Sequence, residues 1–214
     1  MKLQLIGSIL LVVFLTISTS AQLPPPPIRP GLNQWFEGWY IALQGDTVKG
    51  FIFLSNQIDN QVNFRFSAHP PDEMAPVLDP TMAHQYLVND RLYETCIVTI
   101  LGIRTLMFLK KIQSGTVDLF AFYEIPLYGE KSGYWESITI TPDDERYHLS
   151  RYLIRKDNDE LVFLPEGKKF IELISEMLAD NAELVRRIKN KLPYYRSKNI
   201  ESIVAEYNAA ITGN

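Results

Sequence analysis

One cysteine, three histidines and a single long apolar run set the first limits on this 214-residue chain. A lone Cys96 forbids an intramolecular disulfide, so the fold must stand on its buried core. Cys96 sits in Leu-Tyr-Glu-Thr-Cys-Ile-Val-Thr-Ile with no adjacent His or basic group to lower its pKa, which reads as a small buried residue and not a nucleophile. No Gly-x-Ser-x-Gly elbow occurs, and Ser114 and Ser132 lie in turn-like stretches without a His in local sequence, which leaves serine-hydrolase chemistry without its signature. A glycine-rich phosphate loop is also missing. So is a basic excess: the formal net charge is −4, and the doublets Lys110-Lys111 and Arg186-Arg187 are explained by solvated faces. That excludes a nucleic-acid surface.

The apolar run that is present lies at the start. Lys2 precedes an apolar segment from Leu5 to Ile17, and Thr19-Ser20-Ala21 offers small residues for processing. This is the pattern of a secretory signal peptide over residues 1–21, cleaved between Ala21 and Gln22. The run is too short for the roughly 20 apolar residues of a membrane span. With no Cys after the cleavage point, a lipid anchor has no attachment site, so the expected product is exported, periplasmic or extracellular, and has no transmembrane anchor. Losing Lys2 takes the net charge to −5.

Residues 22–38 open with Leu23-Pro-Pro-Pro-Pro-Ile-Arg-Pro30, a stiff polyproline-type spacer. Trp39 to Leu54 then reads as a β-hairpin turning at Gly45-Asp46, with apolar residues on both strand faces and therefore burial on both sides. Val62, Phe64 and Phe66 alternate with polar residues as a half-buried strand. Four prolines between Ala68 and Asp90 predict a long loop, with a helical turn near Met82–Tyr86. Strand-like runs resume at Leu92–Ile100, Thr105–Ile112, Val117–Ile125, Tyr134–Thr141, Tyr147–Arg155 and Leu161–Leu164, for eight or nine strands in hairpin order. After Pro165 the period becomes helical: Phe170, Leu173, Ile174, Met177 and Leu178, then Leu184, Val185 and Ile188, then Ile200, Ile203, Val204 and Tyr207. Asp180 and Glu183 read as a capping pair for the second helix. The fold class is α+β: an antiparallel rolled or barrel-like sheet over residues 39–165, followed by a C-terminal helical subdomain over 166–214 that packs on it.

Two groups could carry chemistry. His69, Asp72, Glu73, Asp79 and His84 fall in the proline-rich loop, but their spacing matches no metal-binding arrangement, so solvated loop residues explain them and no metal or cofactor is assigned. His148 reads as a strand or turn residue. Glu94, Glu124 and Glu136 lie in strand runs beside Tyr93, Tyr123 and Trp135, which is compatible with a sugar-stacking hydrolase cleft and equally with cross-strand packing. No catalytic residue is assigned. An outer-membrane barrel is excluded by short strands and by the helical end, which has no place in such a plan.

The signal peptide, the Gly45-Asp46-Thr47-Val48-Lys49-Gly50 hairpin, the Pro71-Asp72-Glu73-Met74 loop, and the helical stretches Leu178-Ala-Asp-Asn-Ala-Glu-Leu184 and Ile203-Val-Ala-Glu-Tyr-Asn208 occur in an order that resembles exported proteins common in the Bacteroidetes. The resemblance implies a periplasmic or envelope location and no assigned activity. The expected function is a non-enzymatic envelope module that binds a protein or polymer partner. The alternatives are a secreted hydrolase using strand carboxylates and a structural subunit of an envelope assembly.

Overall fold

The computed structural model describes residues 33–70, 72–123, 149–157 and 159–212. The signal-peptide reading with its Ala21/Gln22 cleavage point, residues 22–32 of the spacer, and the strand expected over Tyr134–Thr141 lie outside the described residues. Two strand meanders make the molecule. The first runs β1 (Gln34–Ala42), β2 (Thr47–Leu54), the one-turn helix α1 (Asp59–Val62), β3 (Phe64–Ser67) and β4 (Val77–Leu78). The second runs β5 (Ala83–Val88), β6 (Arg91–Ile100), β7 (Ile103–Gln113), β8 (Val117–Tyr123), β9 (Leu149–Lys156) and β10 (Val162–Phe163). Helices α2 (Gly167–Met177), α3 (Ala182–Lys189) and α4 (Ile200–Thr212) close the chain. The ten strands form one sheet ordered β10-β9-β8-β7-β6-β5-β1-β2-β3-β4. Every ladder in it is antiparallel.

The sheet is rolled. Strands β3 and β7 are five places apart in that order, which at about 4.8 Å per strand would separate them by roughly 24 Å in a flat sheet. Yet the Phe64 and Phe108 rings lie 5.5 Å apart, and Phe64 also meets Tyr86 at 4.2 Å. The concave face therefore closes on a first core of Ile52, Leu54, Phe64, Tyr86, Tyr93 and Phe108. The buried tyrosine hydroxyls inside it are satisfied: Tyr86 donates to the Asn60 carbonyl at 2.7 Å and Tyr93 to Gln57 at 3.2 Å.

Three sequence readings change here. The segment expected as a loop yields β4 and β5, and Met82–Tyr86 is not a helical turn. Ala83, Tyr86 and Val88 are buried while His84 is exposed, and β5 is hydrogen-bonded on both sides, to β1 and β6. Val62 ends α1 instead of opening β3, because Asn56 Oδ1 accepts from the backbone N–H of both Ile58 and Asp59 and starts a helical turn. The spacer is shorter than residues 22–38: β1 begins at Gln34, paired with Leu54, so Trp35 and Phe36 belong to the ladder.

Helices α2 to α4 pack their stripes against the concave side of β8 and β9. Phe170, Ile174, Leu184, Ile188, Ile203 and Tyr207 join Val117, Leu119 and Ile154 in a second core. The α3 cap differs from the expected pair: Asn181 accepts from the Leu184 N–H at 3.1 Å, while Asp180 turns away to accept from Lys156 and from the Tyr207 hydroxyl. Two buried amides fasten helices to the ends of β8. Gln61 of α1 exchanges two 2.7 Å bonds with the Tyr123 backbone, and Asn208 of α4 does the same with Val117 at 2.9 and 2.8 Å. A Cβ at Gly115 would stand 2.5 Å from the Asn208 side chain, so glycine is what lets the α4 amide reach the strand.

Two hairpins share a two-residue turn with both residues at positive φ, the primed type that matches strand twist. Asn89-Asp90 joins β5 to β6 at φ 47 and 59 with residue types suited to that conformation. Leu101-Gly102 joins β6 to β7 at φ 51 and 81. A left-handed conformation costs a side chain such as leucine about 1–2 kcal/mol.

Candidate functional site

The outer face of the first hairpin is the place where burial fails. Ile52 and Leu54 point into the core and are fully buried, whereas Trp35, Trp39, Phe51 and Phe53 on the opposite face are only half-buried. The expectation that both faces of Trp39–Leu54 are covered is therefore corrected: one face is core and the other is an aromatic surface. Strand alternation puts Trp35, Glu37 and Trp39 side by side on β1, and the register sets Phe53, Phe51 and Lys49 directly across from them. From Trp35 to Trp39 the stripe spans four residue steps, about 14 Å at 3.4 Å per step.

Its two ends differ. Trp35 and Phe53 meet edge to face at 5.5 Å, and the Arg65 guanidinium lies over both rings at 5.5 and 5.4 Å. Arg65 is held there by donating to the Asp72 and Glu73 carbonyls at 2.9 and 2.7 Å, so this end is packed and braced. The other end is open: a depression of about 520 Å³ is lined by Glu37, Gly38, Trp39, Lys49, Gly50, Phe51 and Leu87. Gly38 and Gly50 pair across the ladder and lend only backbone to its floor, since a Cβ on either would point to the inner face, toward Ile52 and Phe66. The result is a shallow groove with two aromatic walls, one carboxylate and one ammonium. Such a surface offers ring faces for apolar C–H contact and both acceptor and donor groups for hydroxyls.

The residues singled out from sequence are dispersed. Asp72 caps a turn by accepting from the Met74 N–H at 2.9 Å, and Asp79 accepts from the Thr81 hydroxyl at 2.5 Å and the Thr81 N–H at 2.7 Å, which, the hydroxyl first, hold the Asp79 carboxyl below its usual range. His84 Nε2 sits 3.2 Å from the Leu43 carbonyl, while His69 is tied through its backbone to Ser67. Among the described residues no group of three or more His, Cys, Asp or Glu is placed to hold a metal. Glu124, Glu136 and His148 lie outside the described residues.

Glu94 is described, and it is engaged. Its carboxylate meets Lys111 Nζ at 2.6 Å and Arg155 at 2.9 Å, and Asp118 meets the same two cations at 3.2 and 2.6 Å. These four groups, of which Asp118 is buried, alternate in sign across the four consecutive strands β6, β7, β8 and β9, with Lys111 and Arg155 each about 5.2 Å from the Phe120 ring centre. Beneath them Cys96 is buried and its thiol is pushed up to about 12, chiefly by that burial and then by Glu94, which suits a packing residue and not a nucleophile.

Glu37 and Arg65 were not singled out in the sequence because each is a single charge on a strand with no motif around it, and Lys49 entered only as part of the hairpin over residues 45–50. The available signal was the aromatic pair Trp35 and Trp39 two positions either side of Glu37. No family model, curated protein or solved structure matches this chain. No helix among the described residues is long and apolar enough to cross a membrane.

Proposed function

We propose that this chain is an exported, non-enzymatic envelope module that binds a polymer through the outer face of its first hairpin, and that the polymer is a hydroxyl-rich glycan. The observation that carries this reading is the groove between Trp39 and Phe51, with Glu37 and Lys49 at its sides and backbone as its floor. A sugar ring presents C–H groups on one face and hydroxyls at its rim, which matches aromatic walls with a donor and an acceptor beside them. Having one charge of each sign, the groove makes no demand on the ligand's net charge. Its length along the stripe favours an extended chain over a compact small molecule.

Binding without hydrolysis fits the same residues. Glycoside hydrolysis uses two carboxyl groups flanking the bond, and among the described residues Glu37 is the one carboxylate lining the depression. The export half of the proposal rests on Lys2, the Leu5–Ile17 run and the small residues before Gln22. N-terminal sequencing of the protein recovered from an exporting cell checks it, and a chain starting at Gln22 is the expected result.

The binding test is thermal unfolding with soluble β-glucan, peptidoglycan fragments and, as a charged contrast, polyglutamate. A ligand at 100 times its dissociation constant adds about 2.7 kcal/mol, which for a domain of this size raises the midpoint by roughly 5–11 °C. The proposal expects such a rise with a glycan, undiminished at high salt, and none with polyglutamate. A rise with polyglutamate alone, or with no glycan, would overturn it.

A further inference from the structure

Six exposed apolar side chains gather at one end of the sheet. Strands β1 and β6 both run antiparallel to β5, so the turns that follow β1 and β6 emerge together, at the end where β5 begins. Leu43, Met82, Ile97, Leu101, Ile103 and Leu106 are all exposed there. The β6–β7 hairpin reaches farthest: its ladder continues for five residue pairs beyond Thr95 and Phe108, from Cys96 with Met107 to Ile100 with Ile103. Among the described residues, β5 pairs with β6 only over Arg91–Glu94, and β8 pairs with β7 only from Lys110 onward, so neither flanks this stretch.

Leu101 caps the arm in a left-handed conformation and is 97 % exposed, with Ile103 beside it at 68 %. The equivalent turn at the opposite end of the sheet uses Asn89-Asp90, residue types that adopt this conformation readily. A leucine in the same backbone is strained, and among the described residues nothing covers it in return. Such strain marks a place where a contact made elsewhere could repay it.

We propose that this end of the sheet docks on a lipid bilayer, with Leu101 and Ile103 entering the acyl boundary and Arg104 meeting the headgroup phosphates. A hairpin tip is too small to make the roughly 1,200–2,000 Å² of a stable protein interface, whereas insertion into lipid rewards single apolar side chains. The arm's unpaired edge groups forbid deep entry, so only the tip is immersed. Between Glu94 and Asp118 the chain has no Asp or Glu, and Arg104 is the one charged residue of the arm between Glu94 and Lys110. Its long stem can stay apolar while its head stays wet. Asp46 and Asp79 lie on neighbouring turns, so apolar insertion and not headgroup charge drives the contact.

The test labels the full chain at a Leu101→Cys substitution with an environment-sensitive fluorophore, and at Asp90→Cys as the control at the opposite end. Native Cys96 does not compete, because it is buried and its thiol is pushed up to about 12. Phosphatidylcholine vesicles, with or without phosphatidylglycerol, should blue-shift the label at position 101 and leave the one at 90 unchanged, and the shift should survive high salt. Leu101→Asn should lower vesicle partition about tenfold while the unfolding midpoint holds or rises, since asparagine suits the turn. No shift at 101, an equal shift at both positions, or unchanged partition of Leu101→Asn would overturn the proposal. None of these readouts involves Trp39, so the glycan reading stands or falls separately.

Discussion

Lys110 shows at the scale of a residue how the two cores are joined. It lies on β7 between Phe108, which belongs to the first core, and Ile112, which packs against the second, so it shares their concave face at the seam. Burial first, and the nearby Arg91 second, lower its pKa, with Glu201 of α4 offsetting part of the shift. A lysine whose folded pKa lies below its unfolded value destabilises the fold while protonated. That penalty is fully present below the folded pKa and is relieved as pH rises through it toward the ordinary lysine value of 10.5. Lys110→Met should therefore raise the unfolding midpoint at pH 7, and the gain should shrink as pH approaches 10. Thermal unfolding of both proteins across that range checks the sign. Little of this was legible beforehand, because Lys110-Lys111 reads as one solvated doublet. Strand alternation sends the two side chains to opposite faces, Lys110 to the seam and Lys111 to the quartet with Glu94 and Asp118.

At the scale of elements, β8 is held at both ends by side-chain amides from two helices. Asn208→Ala would strand the Val117 N–H and C=O in a buried site, each worth about 1–3 kcal/mol when unpaired. Differential scanning calorimetry should show a loss of about 3 kcal/mol, or roughly 6–12 °C, well above the effect of removing an exposed surface asparagine. The helical stripes that make the second core could be read from periodicity, and Phe170, Ile174, Leu184, Ile188, Ile203, Val204 and Tyr207 all occupy it. The clamps could not, since their partners stand 62 and 91 residues away in sequence. The same limit explains β5. Its alternation of buried and exposed positions is set by pairing with β1 and β6 together, and the prolines before it hide the strand from a local reading.

Across the whole molecule, antiparallel order and the α+β class were legible because hairpin turns and the change to helical period at Pro165 are local signals. The roll was legible in outline, from strand number and hairpin order, but the contacts that set it were not: Phe64 meets Tyr86 and Phe108 across intervening strands. The most consequential difference lies in the first hairpin, where apolar residues on both faces read as double burial. One face does close the core through Ile52 and Leu54, and the other leaves Trp39 and Phe51 standing around a groove. A sheet that exposes aromatic rings beside Glu37 and Lys49 forgoes burial that it could otherwise have used, which is the physical basis for assigning that face to a ligand.

Calorimetric titration of soluble glycan into the wild-type chain and into Trp39→Ala tests that assignment most directly. Trp39 is half-buried on the outer face and contributes nothing to the buried cores, so the variant should unfold cooperatively close to the wild-type midpoint. The account predicts binding to the wild type and at least about tenfold weaker binding to Trp39→Ala, the cost of losing one stacking aromatic of roughly 1.5–3 kcal/mol. Equal affinity in the two proteins, with the fold intact in both, would contradict it.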